Sequence, residues 1–271
     1  MTLVQRLRRD IQERLYALQP RPTLPDDHTI RDFVLFQRAE MLQYSRHFVR
    51  RHVHLQADPA ALPPTGGALI VFLHYGSFFL IGGAIRAHDP RPLSAIVTRR
   101  NLRLEMMNAQ EIAFWHEVHA MATRLYGSRL LYSDEHPRTA IRWLREGHLL
   151  AAALDVREWG VNHRESPLHV GEYTLYMQTG PARLAQLAGV PMIPAIAYYD
   201  RRKRRHEITL GPSFAPGADP VAATRKAVDF CIQAVLKDPR QQFHDILAAF
   251  SQQGLLDTEA LPPPATTPKV L

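Results

Sequence analysis

The sequence predicts an α/β protein: a mixed, mostly parallel β-sheet flanked by helices, with further helices at its N-terminus. Three observations carry this. Short apolar runs bounded by Gly and Pro read as buried strands: ALIVFLH (68–74), LSAIVT (93–98), HLLAAALD (148–155) and PMIPAIAYYD (191–200). Stretches of helical spacing separate them, so the strands are joined by crossovers and lie parallel. The 271 residues are 46% hydrophobic and 22% charged, which suits one substantial globular core.

The elements follow in order. MTLVQRLRRDIQERLYALQ opens the chain with Leu3, Val4, Leu7, Ile11, Leu15 and Leu18 on one helical face and Arg6, Arg8, Arg9 and Arg14 on most of the other. Such a helix packs on its own domain, pairs two copies, or lies in a membrane surface. It lacks a signal-peptide core, and no run reaches the roughly 18 apolar residues of a spanning helix. After the break PRPTLPDD, a second helical pattern covers 30–54, with Asp26 or Asp27 as its cap. DPAALPPTGG is a loop into the strand ALIVF.

Beyond it we expect a helix at 76–87, a strand at 93–98, a helix over 101–124, a short strand at 129–132, a helix at 137–146 and a strand ending at Asp155. The next stretch, to 180, reads as irregular. A helix with Pro181 in its first turn then leads to the strong strand and a hairpin with RRKRR (201–205) at its tip. Helices at 219–236 and 239–250 complete the domain. The expected organisation is one domain over 1–254, including a helical segment 1–56, then a Pro-rich flexible tail over 255–271.

Charge and cysteine content narrow the partners. A formal charge of +7 and a pI near 9.8 favour acidic partners, among them phospholipid surfaces, acidic carrier proteins and nucleic acid. Nucleic acid has only charge in its favour, because no reader motif or aromatic-interleaved basic patch is present. Cys231 is the single cysteine, so no internal disulfide or thiolate cluster can form, and a reducing cytoplasm is expected. His116, Glu117 and His119 fall one residue short of the H-E-x-x-H zinc pattern, and no metal or other cofactor is expected.

In open α/β sheets, sites lie beyond the carboxyl ends of the strands. His74, the run Thr98-Arg99-Arg100, and Asp155 all occupy such ends. Ser77 follows Gly76 but lacks the G-x-S-x-G elbow of a nucleophile. Tyr176, Thr179 and Gly180 precede a helix whose N-terminal amides suit an anion.

HYGSFFLIGG (74–83) resembles the H-x4-E/D box of the lipid A late acyltransferases and related lysophospholipid-type acyltransferases. The resemblance continues, in order, through VTRRN (97–101), RLYGSRLL (124–131), GHLLAAALD (147–155), LHVGEYTLYMQTGPARLAQLAGVPMIPAIAYY (168–199) and KDPRQQFHD (237–245). It implies a glycerolphosphate acyltransferase-like fold and transfer of an acyl group from a carrier-protein or CoA thioester to a hydroxyl or amine. In it the histidine is the general base, acyl carrier protein is the partner, and the setting is cytoplasmic, with peripheral contact at the inner face of the membrane through the N-terminal helix. Arg99, Arg100, Arg124, Ser77, Phe78, Phe79, Gly171, Glu172, Tyr176, Thr179 and Gly180 are the candidate substrate-binding residues.

One departure stands out. The box places its acid five residues after the histidine, and here that residue is Phe79. Phenylalanine can neither accept a proton nor hold an imidazole tautomer. Three readings stay open at this point. A carboxylate from elsewhere replaces the acid, with Glu105, Glu111, Asp155 and Glu172 as candidates. Alternatively, His74 works alone on an easily activated acceptor. In the third reading, acyl transfer is lost and the protein is a non-catalytic binder of acyl chains or acyl carrier protein.

Overall fold

The computed structural model describes residues 35–57, 61–99, 102, 109–156, 165–170, 173–238, 241 and 269–270. The helices expected at 1–19 and 239–250 lie outside them, Gln241 excepted. A seven-stranded sheet forms the centre: β1 (Val53–Ala57), β9 (Arg205–Leu210), β8 (Met192–Asp200), β2 (Ala68–Phe72), β5 (Leu149–Ala153), β3 (Leu93–Val97) and β4 (Leu131–Tyr132), in that spatial order. Only the β8–β9 pairing is antiparallel. The expected mixed, mostly parallel α/β architecture is what the chain forms. Its parallel pairings follow from crossover helices, which cover both faces and so demand the near-continuous apolar strands read in the sequence.

Helix α1 is described over 35–41, and α2 spans Arg46–His52. The remaining helices are α3 (Phe79–His88), α4 (Ala109–Tyr126), α5 (Pro137–Arg145), α6 (Gly180–Ala188) and α7 (Pro220–Lys237). On β2, Ile70 and Phe72 join the core beneath α3 and α4, whereas Leu69 and Val71 join the core beneath α5, α6 and α7. Each fully buried aliphatic side chain contributes about 1.5–3 kcal/mol. α3 and α4 pack closely because Gly82 has no side chain; a Cβ there would lie 2.3 Å from the Tyr126 ring. Glu40 brings α1 against the sheet, its Oε2 lying 3.0 Å from Nε2 of the fully buried His206.

Two local expectations need correction. The helical pattern over 30–54 breaks at Ser45, whose Oγ accepts from the Phe48 N–H at 3.1 Å and starts α2 afresh. The chain then turns into an edge strand, β1, in place of helix. The stretch read as irregular before residue 180 contains β6 (Glu165–Val170) and β7 (Tyr173–Gln178), an antiparallel pair with Leu168 opposite Leu175. From the tail, Lys269–Val270 forms β10 and pairs with Tyr173 and Thr174 of β7. Among the described residues, no helix is long and apolar enough to cross a membrane.

The RRKRR run closes the β8–β9 hairpin and is partly tied to its own sheet. Lys203 Nζ lies 3.3 Å from Glu207 Oε1 and 3.5 Å from Asp200 Oδ2, and Arg205 Nε donates to Glu207 at 2.7 Å. These bonds, with one from His54, hold the buried Glu207 carboxyl below its usual range against the opposing effect of burial.

Candidate active site

The site begins with register. β2 and β5 are parallel neighbours with Phe72 opposite Ala153, and Leu154 N–H still donates to the Phe72 carbonyl at 2.9 Å. One residue further on, the ladder ends and side chains take over. Asp155 Oδ2 accepts the backbone N–H of His74 at 2.8 Å, and Oδ1 lies 2.8 Å from His74 Nδ1. Both distances fall within the charge-assisted range. The Asp155 side chain is 3% exposed and that of His74 14%, so the carboxylate is shielded while the imidazole still meets the surface. The Phe78 ring stands edge-on 4.6 Å from the imidazole, and Phe72 lies 6.1 Å away. Facing a carboxylate, Nδ1 is the ring's N–H donor, which in the neutral imidazole leaves the lone pair on Nε2.

The turn after His74 is pinned from three directions. The Tyr75 hydroxyl lies 3.1 Å from the Ala234 carbonyl and 2.9 Å from that of Asp238, at the end of α7. Gly76 adopts φ +53, and a Cβ there would sit 2.0 Å from the Ala197 carbonyl oxygen, so no other residue fits. Its N–H donates to the Gln241 carbonyl at 2.7 Å, and its own carbonyl accepts from Gln37 Nε2. Gln241 in turn bonds Tyr199 N–H and C=O at 2.7 and 3.1 Å. Sequence reasoning missed both glutamines. Gln241 lies within KDPRQQFHD, so that resemblance marked its segment; for Gln37 there was no local signal.

Phe79, where the box acid would stand, is core. It is 7% exposed, its ring lies 4.6 Å from that of Phe78, and its carbonyl accepts from the Tyr126 hydroxyl on α4.

The other candidates scatter. Thr179 and Gly180 open α6, and the neighbouring Gln178 N–H donates to the Leu154 carbonyl at 2.8 Å, which brings that helix start beside Asp155. The starts of α3 and α6 therefore both lie near the His74–Asp155 pair in the fold. Arg99 follows β3 at the same sheet edge, with its guanidinium 3.9 Å from the Tyr132 ring centroid and 3.7 Å from Asp134. Glu111 lies in the first turn of α4. Arg124 lies in its last turn, where the chain has returned towards the start of β4, at the opposite edge from His74. Tyr176 pairs with Pro167 in the β6–β7 hairpin. Arg100, Glu105, Gly171 and Glu172 lie outside the described residues.

Cys231 offers no nucleophile. Its thiol is fully buried against the Ala195 carbonyl at 3.4 Å, and burial pushes its pKa far above the usual thiol range.

No family model matches the chain. No curated protein matches it either. Among solved structures it is similar to the crystal structure of the 1-acyl-sn-glycerophosphate (LPA) acyltransferase, PlsC, from Thermotoga maritima. The identity is 12%, covering 87% of this chain and 89% of that one, with a TM-score of 0.43.

Proposed function

We propose that the protein transfers an acyl group from a carrier-protein or CoA thioester to a hydroxyl or amine acceptor. The observation that carries this is the clamp on His74, with one oxygen of the buried Asp155 carboxylate on the imidazole Nδ1 and the other on the backbone N–H of the same residue. Asp155 fills the role of the absent box acid from a neighbouring strand. An alcohol attacks a thioester slowly unless its proton is removed, and a positioned imidazole contributes about 10²–10⁴-fold.

In the proposed step, His74 Nε2 takes the acceptor proton as the acceptor atom bonds to the thioester carbonyl carbon. The carbonyl electron pair moves to oxygen. When it returns, the C–S bond breaks, and the imidazolium passes its proton to the departing sulfur. Asp155 stays ionised throughout and stabilises the imidazolium. The excess of basic residues suits an acidic carrier protein as donor, with a cytoplasmic or membrane-peripheral setting.

The test is direct. Purified protein is incubated with acylated carrier protein or acyl-CoA and a panel of hydroxyl and amine acceptors, and thioester loss and acyl-acceptor mass are followed by mass spectrometry. Turnover that disappears in His74→Ala is the expected result. Turnover retained in that variant removes His74 from the chemistry, and tight donor binding without turnover supports a non-catalytic carrier of acyl chains.

A further inference from the structure

The start of α3 carries donors that the fold itself does not use. Ser77 is 1% exposed, and among the described residues its Oγ has no hydrogen-bond partner. It stands where a helix cap belongs, because its carbonyl accepts the Leu80 N–H at 2.8 Å and opens the first turn. Serine in that position ordinarily turns its hydroxyl back onto the helix amides, yet no side chain caps this end. The backbone N–H groups of Ser77 and Phe79 are likewise without acceptors among the described residues, although Phe79 is only 7% exposed. A buried hydroxyl left unpaired is uncommon and costs free energy; the first-turn amides beside it are the donors that every helix start leaves open, and together the three suit a ligand acceptor. That turn begins three residues after His74, and its Phe78 ring packs 4.6 Å from the imidazole.

We propose that Ser77 Oγ–H, together with the amides of Ser77 and Phe79, forms the oxyanion hole for the thioester carbonyl. The role rests on the acyl-transfer reading and adds a residue to it. As the acceptor attacks, negative charge gathers on the carbonyl oxygen, and these donors, with the positive end of α3 behind them, stabilise it once the acyl group has seated against the turn. Ser77 is a donor here, not a nucleophile, so no acyl-serine forms. Its hydroxyl keeps its proton, and the bond it makes strengthens as the oxyanion develops.

Removing one such donor lowers kcat by roughly 10²–10³-fold, and two amides remain here, so Ser77→Ala is expected to lose about 10²-fold. KM should stay within about twofold, because the ground-state carbonyl carries little charge. The melting temperature should hold or rise, since the deleted hydroxyl bonds nothing among the described residues. Wild type, Ser77→Ala and His74→Ala are compared by thiol release from acyl-CoA and acylated carrier protein, with melting curves on each. An active wild type with Ser77→Ala at its full rate overturns the oxyanion role and leaves the acyl-transfer reading standing. A Ser77→Ala rate loss that tracks a lower melting temperature marks a structural residue and also overturns the role. A wild type inert towards every donor overturns both.

Discussion

Asp155→Asn isolates the part that the carboxylate plays. The substitution keeps the size and shape of a buried side chain and changes one oxygen to an amide nitrogen. If the amide oxygen continues to accept the His74 N–H, now at 2.8 Å from Oδ2, the amide N–H₂ faces Nδ1, now 2.8 Å from Oδ1. A nitrogen facing a donor must carry its lone pair, so the imidazole proton moves to Nε2 and the base is aimed inward. The equivalent change in serine proteases costs about 10⁴ in kcat through the wrong tautomer. We expect a loss of about that size here, equivalent to roughly 5.4 kcal/mol on the barrier. Stability should suffer far less. Both contacts persist with a neutral partner, so about 1 kcal/mol is lost, a fall of roughly 2–4 °C in melting temperature for a chain of this size. Thiol release and melting curves on the two proteins separate these effects. A folded variant working within tenfold of wild type would refute the clamp as the source of reactivity.

Other outcomes follow from the same geometry. Phe79→Glu restores the acid of the H-x4-E/D box, but at a core position 7% exposed; it should lower the melting temperature by several degrees, from a carboxyl burial cost of about 2 kcal/mol or more, and should not raise the rate. A faster Phe79→Glu enzyme would contradict replacement by Asp155. His119 is pushed down from its ordinary 6.5 to about 4, by burial first and by the charge of His116 second. The unfolded chain therefore binds the proton more readily, so stability is complete above 6.5 and is lost as pH falls through about 4. Allowing for partial solvent access, about 2 kcal/mol of the acid sensitivity should vanish in His119→Leu, read as denaturant midpoints at pH 7 and pH 4.5. An unchanged pH slope in that variant would assign the sensitivity to other groups.

Much of this was legible along the chain. The strands β2, β3, β5 and β8 stood out because parallel strands covered on both faces are apolar throughout, and polar residues at their ends then marked His74, Arg99 and Asp155. Phe79 was legible as a gap in the box. What one dimension could not supply was strand order. Asp155 meets His74 because β5 lies directly beside β2, a pairing between residues 81 apart in sequence, and Glu105, Glu111 and Glu172 looked equally eligible without it. Gln37 and Gln241 escaped for the same reason, since their bonds to Gly76 depend on segments that meet only after folding. β1 hid inside a helical pattern because an edge strand owes its conformation to its neighbour, here β9, and β6–β7 mix polar and apolar residues without a clear period.

The imidazole of His74 reports most directly on all of this. In protein labelled with ¹⁵N-histidine, His74 is assigned through its loss in His74→Ala, and the nitrogen resonances of its neutral form are recorded. A pyrrole-type Nδ1 and a pyridine-type Nε2, exchanged in Asp155→Asn, are the predicted pattern. A neutral His74 with its proton on Nε2 in the wild type would mean that the ring is not held as a base, and the proposed chemistry would fail with it.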